Sequence, residues 1–139
     1  MRIKWLLDNN VLFAAVWNSH ADHKQARAWL DKAKPDGWGV TVETYLGAIR
    51  LLMNPRAMKT MALKSSEAVQ AVRREFSGEH AGMIVGNSEP NDAFLKKAQG
   101  HGQIMDFYLA QMASETGAKL VTFDGGLLAA FPALTTPPV

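Results

Sequence analysis

Short apolar runs that break off at a polar residue alternate along this chain with apolar residues at helical spacing, and that alternation restricts it to an α/β fold. Ile3 to Leu7 is cut off by Asp8-Asn9-Asn10, as a buried strand is where it leaves a sheet. Trp38 to Thr41 and Met83 to Val85 read as further strands, and Lys119 to Phe123 runs into Asp124-Gly125-Gly126. Helices fill the intervals. Asn10 is placed to cap a turn from Val11. Ser19 precedes Ala26, Trp29, Leu30 and Ala33, which share one helical face that Pro35 and Gly37 bring to an end. Val42, Tyr45, Leu46, Ile49, Leu52 and Met53 trace a second face, ended by Asn54-Pro55, and Val69, Val72 and Phe76 a third, entered at Ser65. Asn91 can cap a short helix carrying Phe94, Leu95 and Ala98. Tyr108, Leu109, Met112 and Ala113 form a last face with Gly117 as its C-terminal glycine. The pattern predicts three layers: a central, mainly parallel sheet of four or five strands with helices on both sides. Ligands bind such sheets beyond the carboxyl ends of the strands.

The chain has 139 residues and shows no repeat or internal linker, so one domain is expected over residues 1–134, with 135–139 a frayed Pro-rich tail. Cysteine is absent, which excludes disulfides and thiolate metal sites and leaves oxygen or imidazole to bind any metal. The apolar run before Asp8 is too short for a signal peptide, and no later stretch approaches a membrane span. A soluble, cytoplasmic protein with no membrane partner is therefore expected. A net charge of +2 permits an anionic partner without demanding one.

Asp8 and Asp124 each follow an apolar strand, so the fold places both at one edge of the sheet. Asp106 opens a helix, whose positive end can point from that same edge. Two carboxylates about 4 Å apart repel by roughly 4 kcal/mol at an effective dielectric near 20, so converging acids need a counter-ion or shared protons. A hard divalent cation, Mg2+ or in its place Mn2+, meets that need through oxygen ligands and retained water, and can activate water against a phosphodiester. Taken singly, each aspartate reads as a turn, a cap or a helix-dipole partner; only together do they read as a site. His20 and His23 lack a third zinc ligand, and Arg50, Arg73, Arg74, Lys96 and Lys97 read first as solvated helix faces, with contact to RNA phosphates as the other reading.

Leu-Leu-Asp-Asn-Asn-Val-Leu at 6–12, Asp-Phe-Tyr-Leu-Ala at 106–110 and Leu-Val-Thr-Phe-Asp at 120–124 resemble, in order and spacing, the PIN-domain superfamily and in particular its VapC-type toxins. Asp8 and Asn10 match that pattern's Asp-x-Asn, Asp106 its helix-opening aspartate, and Thr122 and Asp124 its Thr-x-Asp. His20, His23, Ala26, Trp29 and Leu30, and Leu46-Gly47-Ala48-Ile49-Arg50 with Asn54-Pro55, resemble one branch of those toxins. The resemblance implies a PIN-like fold and a Mg2+- or Mn2+-dependent endoribonuclease that hydrolyses RNA by metal-activated water. It also implies a cognate antitoxin that silences the enzyme, and a homodimer. Asp8 and Asp106 are then the main metal ligands, with Asp124 binding directly or through water, and Asn10 and Thr122 orient a carboxylate or a bound water. The family's second acid falls at Tyr45. Glu43 lies two residues earlier: if the helix already includes residue 43, the two are about 200° apart and Glu43 does not simply substitute, whereas if the helix begins near Thr44, Glu43 lies in the entering loop and can reach the site. Two other readings stand beside this one. A non-catalytic Mg2+-binding regulatory module, of the phospho-accepting receiver kind, needs a lysine where Gly125 and Gly126 stand. A degenerate PIN domain that binds a partner without cutting is left open by Tyr45.

Overall fold

The computed structural model describes residues 2–139. Five strands form one all-parallel sheet in the order β3-β2-β1-β4-β5: β1 Trp5–Leu7, β2 Trp38–Thr41, β3 Met83–Val85, β4 Lys119–Val121 and β5 Thr135–Thr136. From β1 the chain steps outward to β2 and β3, then returns to lay β4 and β5 on the other side. The order therefore reverses between β1 and β4, which opens a crevice at the carboxyl ends of those two strands.

Eight helices cover the sheet: α1 Asn9–Val16, α2 His23–Ala33, α3 Val42–Met53, α4 Pro55–Met58, α5 Ser65–Arg73, α6 Asp92–Leu95, α7 Ile104–Thr116 and α8 Gly125–Ala130. Alternate strand residues feed the two layers. Leu7 and Val121 pack with Val11, Leu30, Leu52 and Val72 of α1, α2, α3 and α5. Leu6 and Leu120 pack with Phe107, Met112 and Leu127 of α7 and α8. Leu6 and Leu7 are both fully buried, as adjacent residues of a strand covered on both faces must be. The three-layer α/β architecture is as expected, with five strands.

Several local expectations change. Asp8, not Asn10, caps α1: its Oδ1 accepts a 2.7 Å hydrogen bond from the Asn9 amide, and the helix starts at residue 9. The double glycine after Asp124 opens α8 instead of closing a turn, because Asp124 Oδ1 accepts from the Gly126 amide at 2.8 Å. On α3 the fully buried residues are Thr44, Ala48 and Leu52, while Leu46 is 53% exposed. The buried face is thus rotated away from the apolar stripe. At Gly117 the backbone turns left-handed (φ 73°) and ends α7 as expected.

The tail does not fray. Thr135 and Thr136 form the edge strand β5, with the Leu120 amide donating to Leu134 O (2.8 Å) and the Thr122 amide to Thr136 O (3.0 Å). Thr135 is buried with its hydroxyl on Phe131 O, and Gln25 Nε2 donates to Pro138 O at 2.9 Å. An edge strand leaves one row of amides unpaired, so the prolines that follow remove no needed donor.

One ionic cluster ties α2 to the turn after α5. Arg27 Nη2 and Lys34 Nζ meet Glu75 Oε1 at 3.0 and 2.9 Å, and Arg27 also meets Asp31 at 2.9 Å. Burial alone would raise the Glu75 pKa, but hydrogen bonds from Arg27 and Lys34 outweigh it and hold the carboxyl below its ordinary range. A depressed carboxyl stabilises the fold above its unfolded pKa and loses that contribution as pH falls through the folded value. Glu75→Gln should therefore cost about 2 kcal/mol in urea unfolding at pH 7 by leaving the two half-buried cations with only the exposed Asp31 as a counter-charge. The difference from wild type should shrink as the pH falls through the lowered Glu75 value and its carboxyl takes up a proton; a loss that does not change with pH would refute the ionic account.

Candidate active site

The crevice between β1 and β4 is closed at its floor by hydrogen bonds. Asp8, one residue past β1, is 5% exposed. Thr122 Oγ1 donates to Asp8 Oδ2 at 2.7 Å and accepts from the Asp124 amide at 3.0 Å. The Phe123 amide donates to Asn10 Oδ1 at 3.3 Å. Thr122 and Asn10 thus fix the two strand ends to each other, and Thr122 sets the Asp8 carboxylate directly. Asp8 also sits at the positive end of α1, which favours its charge.

Asp106 enters from above. It is the third residue of α7, a helix held by the buried Phe107, Ala110 and Ala113, so a core helix aims its first turn at the crevice. Asp124, the cap of α8, stands close enough to Asp106 to share a proton. Burial, then the charges of Asp8 and Asp124 together with that hydrogen bond, push the Asp106 pKa up to about 6. Burial also raises Asp8, against the hydrogen bonds from Thr122 and Asn9, with Asp124 adding repulsion. The three sequence-predicted aspartates are therefore neighbours in an electrostatic sense, and among the described residues none of them makes an ion pair.

Glu43 joins them from the third side. Thr41 ends β2 and caps α3, its Oγ1 accepting from the Thr44 amide at 3.2 Å. The helix therefore already includes residue 43, the alternative in which Glu43 and Tyr45 face different ways. With no loop between strand and helix, Glu43 lies in the first turn at the sheet edge. Asp8, Asn9, Glu43, Gly47, Arg50 and Asp106 line a cleft of about 280 Å³. Glu43 Oε1 is buried without a hydrogen-bond partner, because the other side of the residue is an apolar recess walled by Leu95, Ile104, Met105 and Tyr108. Tyr45 turns the other way, its ring 5.0 Å from Phe76 in an edge-to-face contact. The missing acid at position 45 thus does not open a gap in the cleft, since the face of α3 that borders it is that of residues 43, 47 and 50.

Asn9, Gly47 and Arg50, which stand inside the quoted strings without a part in the acid site, also line the cleft. The signal for them was the isolated glycine inside an apolar helical stripe, which costs about 1 kcal/mol relative to alanine and so marks a packing need. The remaining candidates lie elsewhere. The Asp22 amide donates to His20 Nδ1 at 2.9 Å, and His23 Nδ1 is 2.8 Å from Ala14 O. Lys97 covers the Phe131 ring at 5.3 Å.

The donor set is hard oxygen throughout. Among the described residues no three acidic or histidine side chains converge into a ready-made metal cage. The arrangement fits an ion held by few carboxylates with water in its other positions, the habit of magnesium, and the raised Asp8 and Asp106 and the orphaned Glu43 oxygen are what a cation there would relieve. Among the described residues no helix is long and apolar enough to cross a membrane.

The sequence profile of the PIN domain family matches residues 5–131. Ribonuclease VapC39 of Mycobacterium tuberculosis is 30% identical over 128 residues, covering 88% of this chain and 89% of that protein. Ribonuclease VapC38 of the same organism is 28% identical over 123 residues (88% and 86%), and Ribonuclease VapC29 is 32% identical over 131 (88% and 86%). The profile spans the sheet from β1 through α8, so all four acids at its edge lie inside the match. With a five-stranded parallel sheet, acids at its switch point and full-length relatives of VapC type, the chain belongs to the PIN domain family.

Proposed function

We propose that this protein is a magnesium-dependent endoribonuclease of the VapC type, the toxin of a toxin–antitoxin pair acting in the cytoplasm, which hydrolyses RNA phosphodiester bonds. The observation that carries this reading is the convergence of Asp8, Asp106 and Glu43 on one cleft, with Asp124 beside Asp106. The relatives are named ribonucleases, which supports RNA as the substrate. A cognate antitoxin and a homodimer are the partners that go with the VapC reading.

Asp8 and Asp106 are the residues to hold a magnesium ion, or manganese in its place, with Asp124 acting through water and Glu43 offering its free oxygen. Magnesium bound there supplies positive charge to the phosphodiester and acidifies a water for attack. The rest is the work of the chain. Thr122 pins Asp8 by one oxygen and leaves the other lone pairs directed by the Asn9 amide. Asp124, the α8 cap beside Asp106, is placed to orient a water bound there. Glu43, facing the cleft where Tyr45 does not, takes the place of the family's second acid.

Two experiments test this. Asp8→Asn should lower Mg2+-dependent cleavage of single-stranded RNA at least about a hundredfold and abolish growth arrest, and Glu43→Gln should lower cleavage about ten- to a hundredfold. Tyr45→Phe should be neutral. Undiminished cleavage by Asp8→Asn would sink the assignment. The second experiment reads stability. An acid whose folded pKa is raised favours the protonated fold, so stability falls as pH rises from about 4 through about 6. In metal-free protein at pH 8, Asp106→Asn should raise stability by on the order of 1 kcal/mol, about 3 °C in melting temperature, with no gain at pH 4. Magnesium should raise the wild-type melting temperature and leave that of Asp106→Asn nearly unmoved; equal responses would place the ion elsewhere.

A further inference from the structure

Along the wall formed by α3 the cleft changes character. Glu43, Gly47 and Arg50 fall at i, i+4 and i+7 and share one side of the helix, which sets Arg50 about 10 Å along the axis from Glu43. Arg50 is exposed and makes no ion pair among the described residues. Between the acidic and the basic end stands Asn9. Its amide rests against Gly47, where a Cβ would come within 2.9 Å of Nδ2 and 3.2 Å of Oδ1. Its Oδ1 is buried without a hydrogen-bond partner. An amide oxygen left without a donor destabilises the site; Asn9 as a whole is only partly buried and lines the cleft, so a turn about its Cβ–Cγ bond brings that oxygen to whatever binds there and supplies a donor.

The chemistry of that donor follows from its neighbours. Arg50 addresses a phosphate, and so does a cation held by the acids, so the group lying between them on a bound strand is a sugar. A phosphate has no proton to give. The one donor on an RNA backbone is the ribose 2′-hydroxyl, which DNA lacks. We infer that Asn9 and Arg50 form the subsite for the nucleotide beside the scissile phosphate, with Asn9 Oδ1 accepting from a ribose 2′-hydroxyl and Arg50 gripping the adjacent phosphate. Gly47 is the residue that makes room for it. This inference rests on the ribonuclease reading above and adds to it a device for choosing RNA over DNA.

The test uses the full-length protein, a labelled single-stranded RNA and its all-deoxy counterpart, with anisotropy read in calcium and cleavage read separately in magnesium. Asn9→Ala should lose about five- to tenfold of the RNA-over-DNA preference, the worth of one hydrogen bond, with DNA binding unchanged. Gly47→Ala should do the same, since its methyl displaces the Asn9 side chain while strengthening the helix. Arg50→Ala should weaken both strands and flatten the slope of log affinity against log salt by about 0.7, as for one phosphate contact. Were Asn9→Ala to slow cleavage while leaving the RNA preference intact, or to weaken RNA and DNA equally, the subsite would be refuted and the ribonuclease would stand. A wild-type protein that neither binds nor cuts RNA would overturn both.

Discussion

The hydrogen bond from Thr122 Oγ1 to Asp8 Oδ2 (2.7 Å) holds the rest of the site in place. It spans the point where the sheet reverses its strand order. There α1 leaves toward one face of the sheet and α8 toward the other, so the two strand ends would part if only the β ladder joined them. Thr122 is fully buried and serves both sides, donating to Asp8 and accepting from the Asp124 amide. A buried hydroxyl is costly unless satisfied, and here its satisfaction and the positioning of the first acid are the same contact. Asn10 repeats the device one residue further on, through the Phe123 amide. The crevice that the topology opens is thus given a rigid floor, and only on a rigid floor do carboxylates from three other elements keep a fixed relation to Asp8.

That arrangement is electrostatically unfavourable by itself. Asp106 is raised to about 6 and Asp8 is raised as well, so the protein holds negative charges together that would separate if the chain allowed it. It does not allow it, because each acid is borne by an element fixed elsewhere. Asp106 rides on α7, whose buried residues fill one core; Glu43 rides on α3, whose buried residues fill the other. The favourable ionic contacts lie far from the crevice, where Glu75 ties α2 to the end of α5. Strain at the edge and its compensation in two cores is the usual division between function and stability.

How far this could be read from the chain depends on what signal each part leaves. An apolar run ending in a carboxylate is legible, since a buried strand needs the run and the sheet edge permits the acid; Asp8, Asp124 and the parallel sheet were visible for that reason. The edge strand Thr135–Thr136 was not. It is joined to the sheet through backbone hydrogen bonds and sits before two prolines, so its composition is that of a loose end. The rotation of α3 was hidden for a different reason. Hydrophobic spacing assumes that large apolar residues face inward, whereas Thr44 and Ala48 are buried and Leu46 is half exposed. A face of that helix is taken up by the cleft, and cleft-lining residues obey the needs of a ligand, not those of a core. The same rotation turns Tyr45 onto Phe76 and leaves Glu43 on the open side.

Gly47 shows what such a conflict means. Glycine is the poorest helix former short of proline, and it stands mid-helix in α3 between residues that favour helix. Its neighbour across the cleft, Asn9, presses an amide into the space a Cβ would fill. Local propensity has been surrendered at one position so that a polar side chain from α1 can reach the surface of α3. The orphaned oxygen makes the same point, since a side chain placed only for stability would be turned toward a donor. Under the reading proposed above, acids at the switch point hold an ion and a phosphate, and the glycine opposite Asn9 gives the cleft a means of distinguishing the sugar attached to that phosphate.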